Sequence, residues 1–290
     1  MRCVTTFKKL FTAALLLLTS HQAMAVMVDV QPKRIIFERS RTSAQVTLAN
    51  ESDKPVTYEI SLVNLHADEN GKLSTVDDNT TEVASNSALY ATAVPGLLSV
   101  YPNRPLTLKP RESRVIKLWV RRPADLKPGE YRSHLKIQES ENTHSVARNE
   151  ENLSVAIRLL TSVTIPVMVR HEVEAGQAGL SGLTLYKGKG ERYRAKFNAT
   201  RSGQGSIVGD FRMTFTPSGG TPVDAGRMKG SVFAPLAVRH MEFDLSDDVQ
   251  KLLANGVKGT LTVRVFDEEK KNEKTRRSEA VLAELSIEVK

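Results

Sequence analysis

The chain has 290 residues, with 41 Lys and Arg against 33 Asp and Glu and a formal net charge of +8. Its one cysteine, Cys3, cannot form an internal disulfide, and after residue 25 nothing approaches the roughly 18 continuous apolar residues of a membrane helix. The basic excess is interleaved with acids, which argues for solvated faces and against nucleic-acid binding. Aromatic residues are only 6% of the chain, too few for an aromatic platform around paired catalytic carboxylates.

Residues 1 to 25 are read as a targeting segment. Arg2, Lys8 and Lys9 form a basic start, residues 10 to 18 (LFTAALLLL) an apolar core, and Ala23-Met24-Ala25 a small-x-small cleavage site. The competing reading is a buried N-terminal helix. Cleavage before Val26 leaves 265 residues, enough for about two domains, and lowers the net charge to +5. Cys3 leaves with the segment, so the mature chain relies on its apolar cores rather than disulfides. With no lipid-attachment cysteine, the expected location is the periplasm.

From residue 27 onward the pattern is short alternating runs between turns. MVDVQPKRIIF (27–37) comes first, then 43–52, where Ala44, Val46 and Leu48 alternate with polar residues. The Asn50 to Pro55 stretch is a turn, since Asn, Ser, Asp and Pro each offer the backbone a turn geometry. Residues 56–65 alternate again, 66–94 read as a polar loop opening with an Asp68-Glu69-Asn70-Gly71 turn, and 97–102 as a short strand. Residues 106–123 hold a turn at Lys109-Pro110-Arg111 followed by a strand, and 130–140 hold another strand. Residues 140–152 are polar and predict a loop.

Residues 153–169 are the longest alternating run. Leu153, Val155, Ile157, Leu159, Val163, Ile165 and Val167 share one face, interrupted only by Thr161. Strands are ordinarily about 3–10 residues long, so this one either bends between two domains or offers part of its apolar face to another molecule. After Arg170 the pattern restarts at 173–188, 193–203, 207–220, 227–245, 259–267 and 280–289. One helix is expected at 247–256, ended by Gly256. Strands at roughly 8–12-residue intervals predict an all-β chain of two β-sandwiches in tandem.

Chemistry-bearing motifs are scarce. The six histidines are scattered singly and show no metal-ligand spacing. There is no nucleophile elbow, phosphate loop or dinucleotide fingerprint. Asp247-Asp248 and Glu268-Glu269 read most simply as solvated turns. No catalytic residue, cofactor or metal is expected; binding is the default trade of such a chain.

The order of these features resembles the periplasmic pilus-assembly chaperones of the chaperone–usher pathway, the PapD-like proteins. The resemblance is carried by Pro32-Lys33-Arg34-Ile35-Ile36-Phe37, Val46 to Asn50, Val100-Tyr101-Pro102 and Leu108-Lys109-Pro110. Val115 to Leu118, Pro123 to Tyr131 and the long strand ending Ile165-Pro166-Val167 continue it. It covers about residues 28 to 170; beyond that only size and β character are similar. It implies an immunoglobulin-like domain at 26–170 and a second β-sandwich at 171–290. It also implies pilus subunits and an outer-membrane usher as partners, with no nucleic acid and no membrane insertion.

By that resemblance the long strand is inserted into an incomplete subunit, its alternate side chains filling a groove. The donor residues are then Val155, Ile157 and Leu159, flanked by Leu153 and Val163. Alternation by itself fits equally a strand that fills only its own core. The family also holds the subunit's C-terminal carboxylate with a basic pair between the domains. Arg34 matches the first member. The second is normally a lysine late in the same strand, but here the chain reads Thr164-Ile165-Pro166, as in divergent branches of the family. Arg158 and Arg170 are the available substitutes, both opposite in parity to the donors, and the sequence leaves the choice open. A different class of function, an exported immunoglobulin-like structural or adhesive protein of a surface appendage, is the alternative. A pilus subunit would need an alternating N-terminal extension, and residues 26 to 33 are too short for one.

Overall fold

The computed structural model of the chain describes residues 28–76, 90–140, 160–270 and 280–290. Its first sandwich is built from β1 (Val28–Gln31), β2 (Ile35–Phe37), β3 (Ser43–Asn50), β4 (Val56–Val63), β5 (Leu65–Ala67) and β6 (Leu73–Thr75). β7 (Leu98–Tyr101), β8 (Leu106–Leu108), β9 (Ser113–Val120), β10 (Gly129–Glu139) and β11 (Ser162–His171) complete it. One sheet runs β1-β3-β9-β7 and the other β2-β11-β10-β4-β8. Two such sheets packed face to face are the immunoglobulin arrangement.

The alternation seen in the sequence becomes burial. In β3, Ala44, Val46 and Leu48 face the core while Ser43, Gln45 and Thr47 face out. Val46, Leu48, Ile116, Leu118, Leu135 and Val167 fill the space between the sheets. The Tyr131 hydroxyl donates to the Lys127 carbonyl at 2.9 Å, holding the entry to β10 as the tyrosine corner of such domains does. Buried Asn50 links two turns, donating to the carbonyls of Lys54 at 2.8 Å and Lys109 at 3.0 Å.

Two expected boundaries change in the first sandwich. The 27–37 run is two strands in different sheets, because Pro32 has no N–H with which to continue a ladder. The expected 66–94 loop begins with a hairpin, β5 and β6 pairing around the Asp68–Lys72 turn. There the Asp68 carboxylate accepts from the backbone of Asn70 and Lys72, at 2.9 and 2.8 Å. Gly71 supplies the positive φ of +79° that the turn requires.

The second sandwich comprises β12 (Gln177–Lys187), β13 (Tyr193–Ser202), β14 (Ile207–Pro217), β15 (Val223–Val232), β16 (Val238–Asp244), β17 (Gly259–Asp267) and β18 (Val281–Val289). Its sheets run β12-β13-β16 and β15-β14-β17-β18. Phe197 packs against Phe211 and Phe243, each with centroids 5.8 Å away. The 227–245 run is broken between β15 and β16, where Pro235 sits in the connecting turn. Helix α1 (Asp247–Ala254) ends at Gly256, whose φ of +72° is the left-handed conformation a helix terminus favours. Among the described residues no helix is long and apolar enough to cross a membrane.

Candidate functional site

Two neighbouring features stand out: the exposed edge of β11 and the polar interface where β10 and β11 meet the second sandwich. β10 pairs β11 along its whole length, from Gln138↔Ser162 to Gly129↔His171. On the other edge, β2 pairs only Val167, Met168 and Val169. Among the described residues, no strand lies beside Ser162 to Pro166 on that edge. Pro166, which has no N–H to offer, lies just before the pairing with β2 begins at Val167 and Ile35.

The faces of β11 divide by parity. Ile165, Val167 and Val169 point into the first core, and half-buried Val163 packs against it. On the even face, Met168 and Arg170 are buried and Pro166 lines a cleft between the sandwiches. Leu153, Val155, Ile157, Leu159 and Arg158 lie outside the described residues.

Arg170 is 2% exposed and carries a dense set of partners. It donates to Glu269 from Nη1 at 2.6 Å and from Nη2 at 2.8 Å, a bidentate pair. It also donates to Glu130 at 3.1 Å and to the Ser206 carbonyl at 3.2 Å. Glu130, itself buried, accepts from the backbone N–H of Ser206 at 3.0 Å and from its hydroxyl. Burial opposes the charged guanidinium, but the hydrogen bonds and charges of Glu269 and Glu130 outweigh it and raise Arg170 above its ordinary pKa. Arg170 is thus sealed by carboxylates from both sandwiches.

Arg34 occupies a more open position, with 25% of its side chain exposed. Its Nη2 donates to Glu268 Oε1 at 3.2 Å. Lys229, from β15, reaches the same oxygen at 2.7 Å. Burial pushes the Arg34 pKa down, and the charges of Glu268 and Glu269 work against that shift. Clefts open on both sides of Arg34. One, of about 270 Å³, is lined by Lys33, Arg34, Pro166, Lys229 and Arg239 among others. The other, of about 480 Å³, includes Pro32, Arg41, Glu268 and Glu269.

The reading of Glu268-Glu269 as a solvated turn is therefore corrected. Glu268 is only 3% exposed, and the two consecutive acids reach two different arginines of the first sandwich. The sequence shows two acids after a strand; nothing local says that another sandwich will cover them.

The polar face of β10 is likewise covered by the second sandwich. Glu130, Arg132 and His134 alternate with Tyr131 and Leu135, and the strand is buried on both faces. Arg132 lies over the Phe233 ring at 4.3 Å and donates to the carbonyls of Ala234 at 3.1 Å and Leu65 at 3.3 Å. His134 meets the same ring edge-on at 6.3 Å. Burial, then the charge of Arg132, push the His134 pKa down to about 3. At the far side the β5–β6 turn touches β16, where the His240 N–H donates to the Glu69 carbonyl at 2.6 Å. Among the described residues no group of three or more His, Cys, Asp or Glu is placed to hold a metal ion.

No protein-family model matches the sequence, and no curated protein is similar to it at a significant level. Solved structures similar to it include the E. coli chaperone DraB, 13% identical, covering 91% of this chain and 97% of that one at a TM-score of 0.43. Another is the Pseudomonas aeruginosa CupB2 chaperone, 12% identical, covering 90% and 98% at a TM-score of 0.39. A third is a chain of the Salmonella enterica SafA pilin complex with the SafB chaperone, 12% identical, covering 91% and 97% at 0.42.

Proposed function

We propose that this chain is a periplasmic chaperone that captures pilus subunits by strand donation and hands them to an outer-membrane usher. The observation that carries this reading is the edge of β11. From Ser162 to Pro166 its outer edge lacks a neighbouring strand among the described residues, while the sequence upstream continues the same apolar alternation. An unpaired strand edge is a template for another chain. Main-chain bonds would give affinity and the odd side chains would fill alternate pockets.

In this reading Leu153, Val155, Ile157, Leu159 and Val163 are the donated side chains. Each aliphatic side chain fully buried contributes roughly 1.5–3 kcal/mol, so a few suffice for a tight but exchangeable grip. Arg34, at the mouth of the interdomain cleft, receives the subunit's terminal carboxylate. Arg170 is already satisfied by Glu130 and Glu269, which favours an interdomain clamp over a ligand contact for that residue. We further assign the mature domains to 26–170 and 171–290, with residues 1–25 removed on export. Binding, rather than bond-making chemistry, is the activity assigned.

Co-purification from periplasmic extract tests the reading, comparing wild type with Ile157→Asp. Wild type should bring down a small β-rich subunit, and a folded Ile157→Asp protein, checked by circular dichroism, should not. Equal capture by both would end the strand-donation reading. An unfolded variant would place Ile157 in the chaperone's own core.

A further inference from the structure

Arg34 and Lys229 come from different sandwiches, yet both reach a single atom, Glu268 Oε1, at 3.2 and 2.7 Å. The carboxylate they share has a side chain only 1% exposed, whereas Lys229 is 54% exposed and Arg34 opens to solvent through the clefts beside it. The smaller cleft is lined by Lys33, Arg34, Lys229 and Arg239, with Asp68 as the acid among its lining residues. Lys33 is turned to Asp29 at 2.8 Å and Arg239 to the Ser231 carbonyl at 2.8 Å. Among the described residues the cations that converge are therefore Arg34 and Lys229, and what they converge on is a carboxylate.

We propose that Glu268 is an internal latch on this site. It holds the position between Arg34 and Lys229 that an incoming carboxylate needs, and yields it when a ligand carboxylate binds. This rests on the reading of Arg34 as a carboxylate contact and adds the second cation, Lys229, from the other domain. Exchange of one carboxylate for another preserves the charge balance of the two cations, so it costs far less than exposing them unpaired. The larger cleft, which Glu268 itself lines, gives its side chain room to turn away. Because the latch ties the two sandwiches together, releasing it also loosens one interdomain contact at the moment of capture.

Acetate, the carboxylate alone, is the probe. It is titrated into the full-length protein in place of chloride at fixed ionic strength, with the side-chain NMR signals of Arg34 Nε–H and Lys229 Nζ as readout. Glu268→Gln keeps the shape of the latch and removes its charge. Acetate affinity should rise about tenfold, the effect expected when one charge-assisted competitor is removed. Adding Lys229→Met to that variant should cancel the gain. Glu268→Asp, which withdraws the carboxylate by one methylene and keeps the charge, should give a smaller rise and serves if Glu268→Gln fails to fold. Unchanged affinity in the folded Glu268 variant, or a gain that survives Lys229→Met, overturns the proposal. Acetate carries no strand, so this outcome is independent of whether Ile157→Asp abolishes subunit capture.

Discussion

Arg34 and Arg170 lie in the same interface and pair with consecutive glutamates, but their surroundings differ. Arg170 is buried, held bidentately by Glu269, and backed by Glu130 and Ser206. Arg34 keeps a quarter of its side chain exposed and shares Glu268 with Lys229. The first arrangement is closed, because each guanidinium nitrogen meets an acceptor from one sandwich or the other. The second is open, with clefts on both sides. Two arginines indistinguishable by residue type thus end in different surroundings, one buried between carboxylates of both sandwiches and the other beside open clefts.

Removing Arg170 should have the largest effect. Arg170→Ala leaves buried Glu130 and half-buried Glu269 without their shared cation, and breaking such a buried pair costs about 3–5 kcal/mol. Urea unfolding should show this as a large fall in midpoint. Arg170→Lys should recover little of it, because an ammonium cannot reproduce the forked contacts. A small loss in either variant would erase the distinction between the two arginines.

His134 should come next, and its effect depends on pH. Its folded pKa of about 3 lies below the ordinary value of 6.5. As pH falls below 6.5 the unfolded chain takes up a proton that the folded chain refuses, so stability is present above that pH and lost on acidification towards 3. Between about pH 6.5 and pH 5 this costs about 2 kcal/mol. Among the described residues neither ring nitrogen has a hydrogen-bond partner, so His134→Leu strands no polar group and should flatten that part of the curve. Parallel slopes for the two proteins in urea titrations at both pH values would rule out the coupling.

Arg34→Ala should be the mildest for folding. Lys229 still neutralises Glu268, so no buried carboxylate is left unpaired and the loss should fall well below that of Arg170→Ala. Its effect should appear instead in binding: capture of a subunit with an intact C-terminus weakens, while capture of one whose C-terminus is amidated does not. Equal weakening for both ligands would remove Arg34 from the carboxylate site.

Much of the fold was legible because period-two alternation is a direct imprint of a sheet with one buried face. Ala44, Val46 and Leu48 announced β3, and Gly256 announced the end of α1. What lies against polar residues was not legible, and Glu268-Glu269 was misread for that reason. Glu130, Arg132 and His134 look like the solvent side of a strand, and Glu268-Glu269 like a surface turn, because no local signal tells water from a neighbouring domain. The break at Pro32 was legible in principle, since proline cannot continue a ladder, but not the change of sheet that follows it.

By itself the sequence determined an all-β chain in two halves and the parity of β11 that puts Val163, Ile165 and Val167 on one face. Those properties reside in spacing along the chain. Only the tertiary structure decided that Arg170 is sealed, that Lys229 stands opposite Arg34, and that Glu268 lies between them. Arg34 and Glu268 are 234 residues apart in sequence. Their meeting depends on how two sandwiches with separate cores pack, which no local pattern encodes.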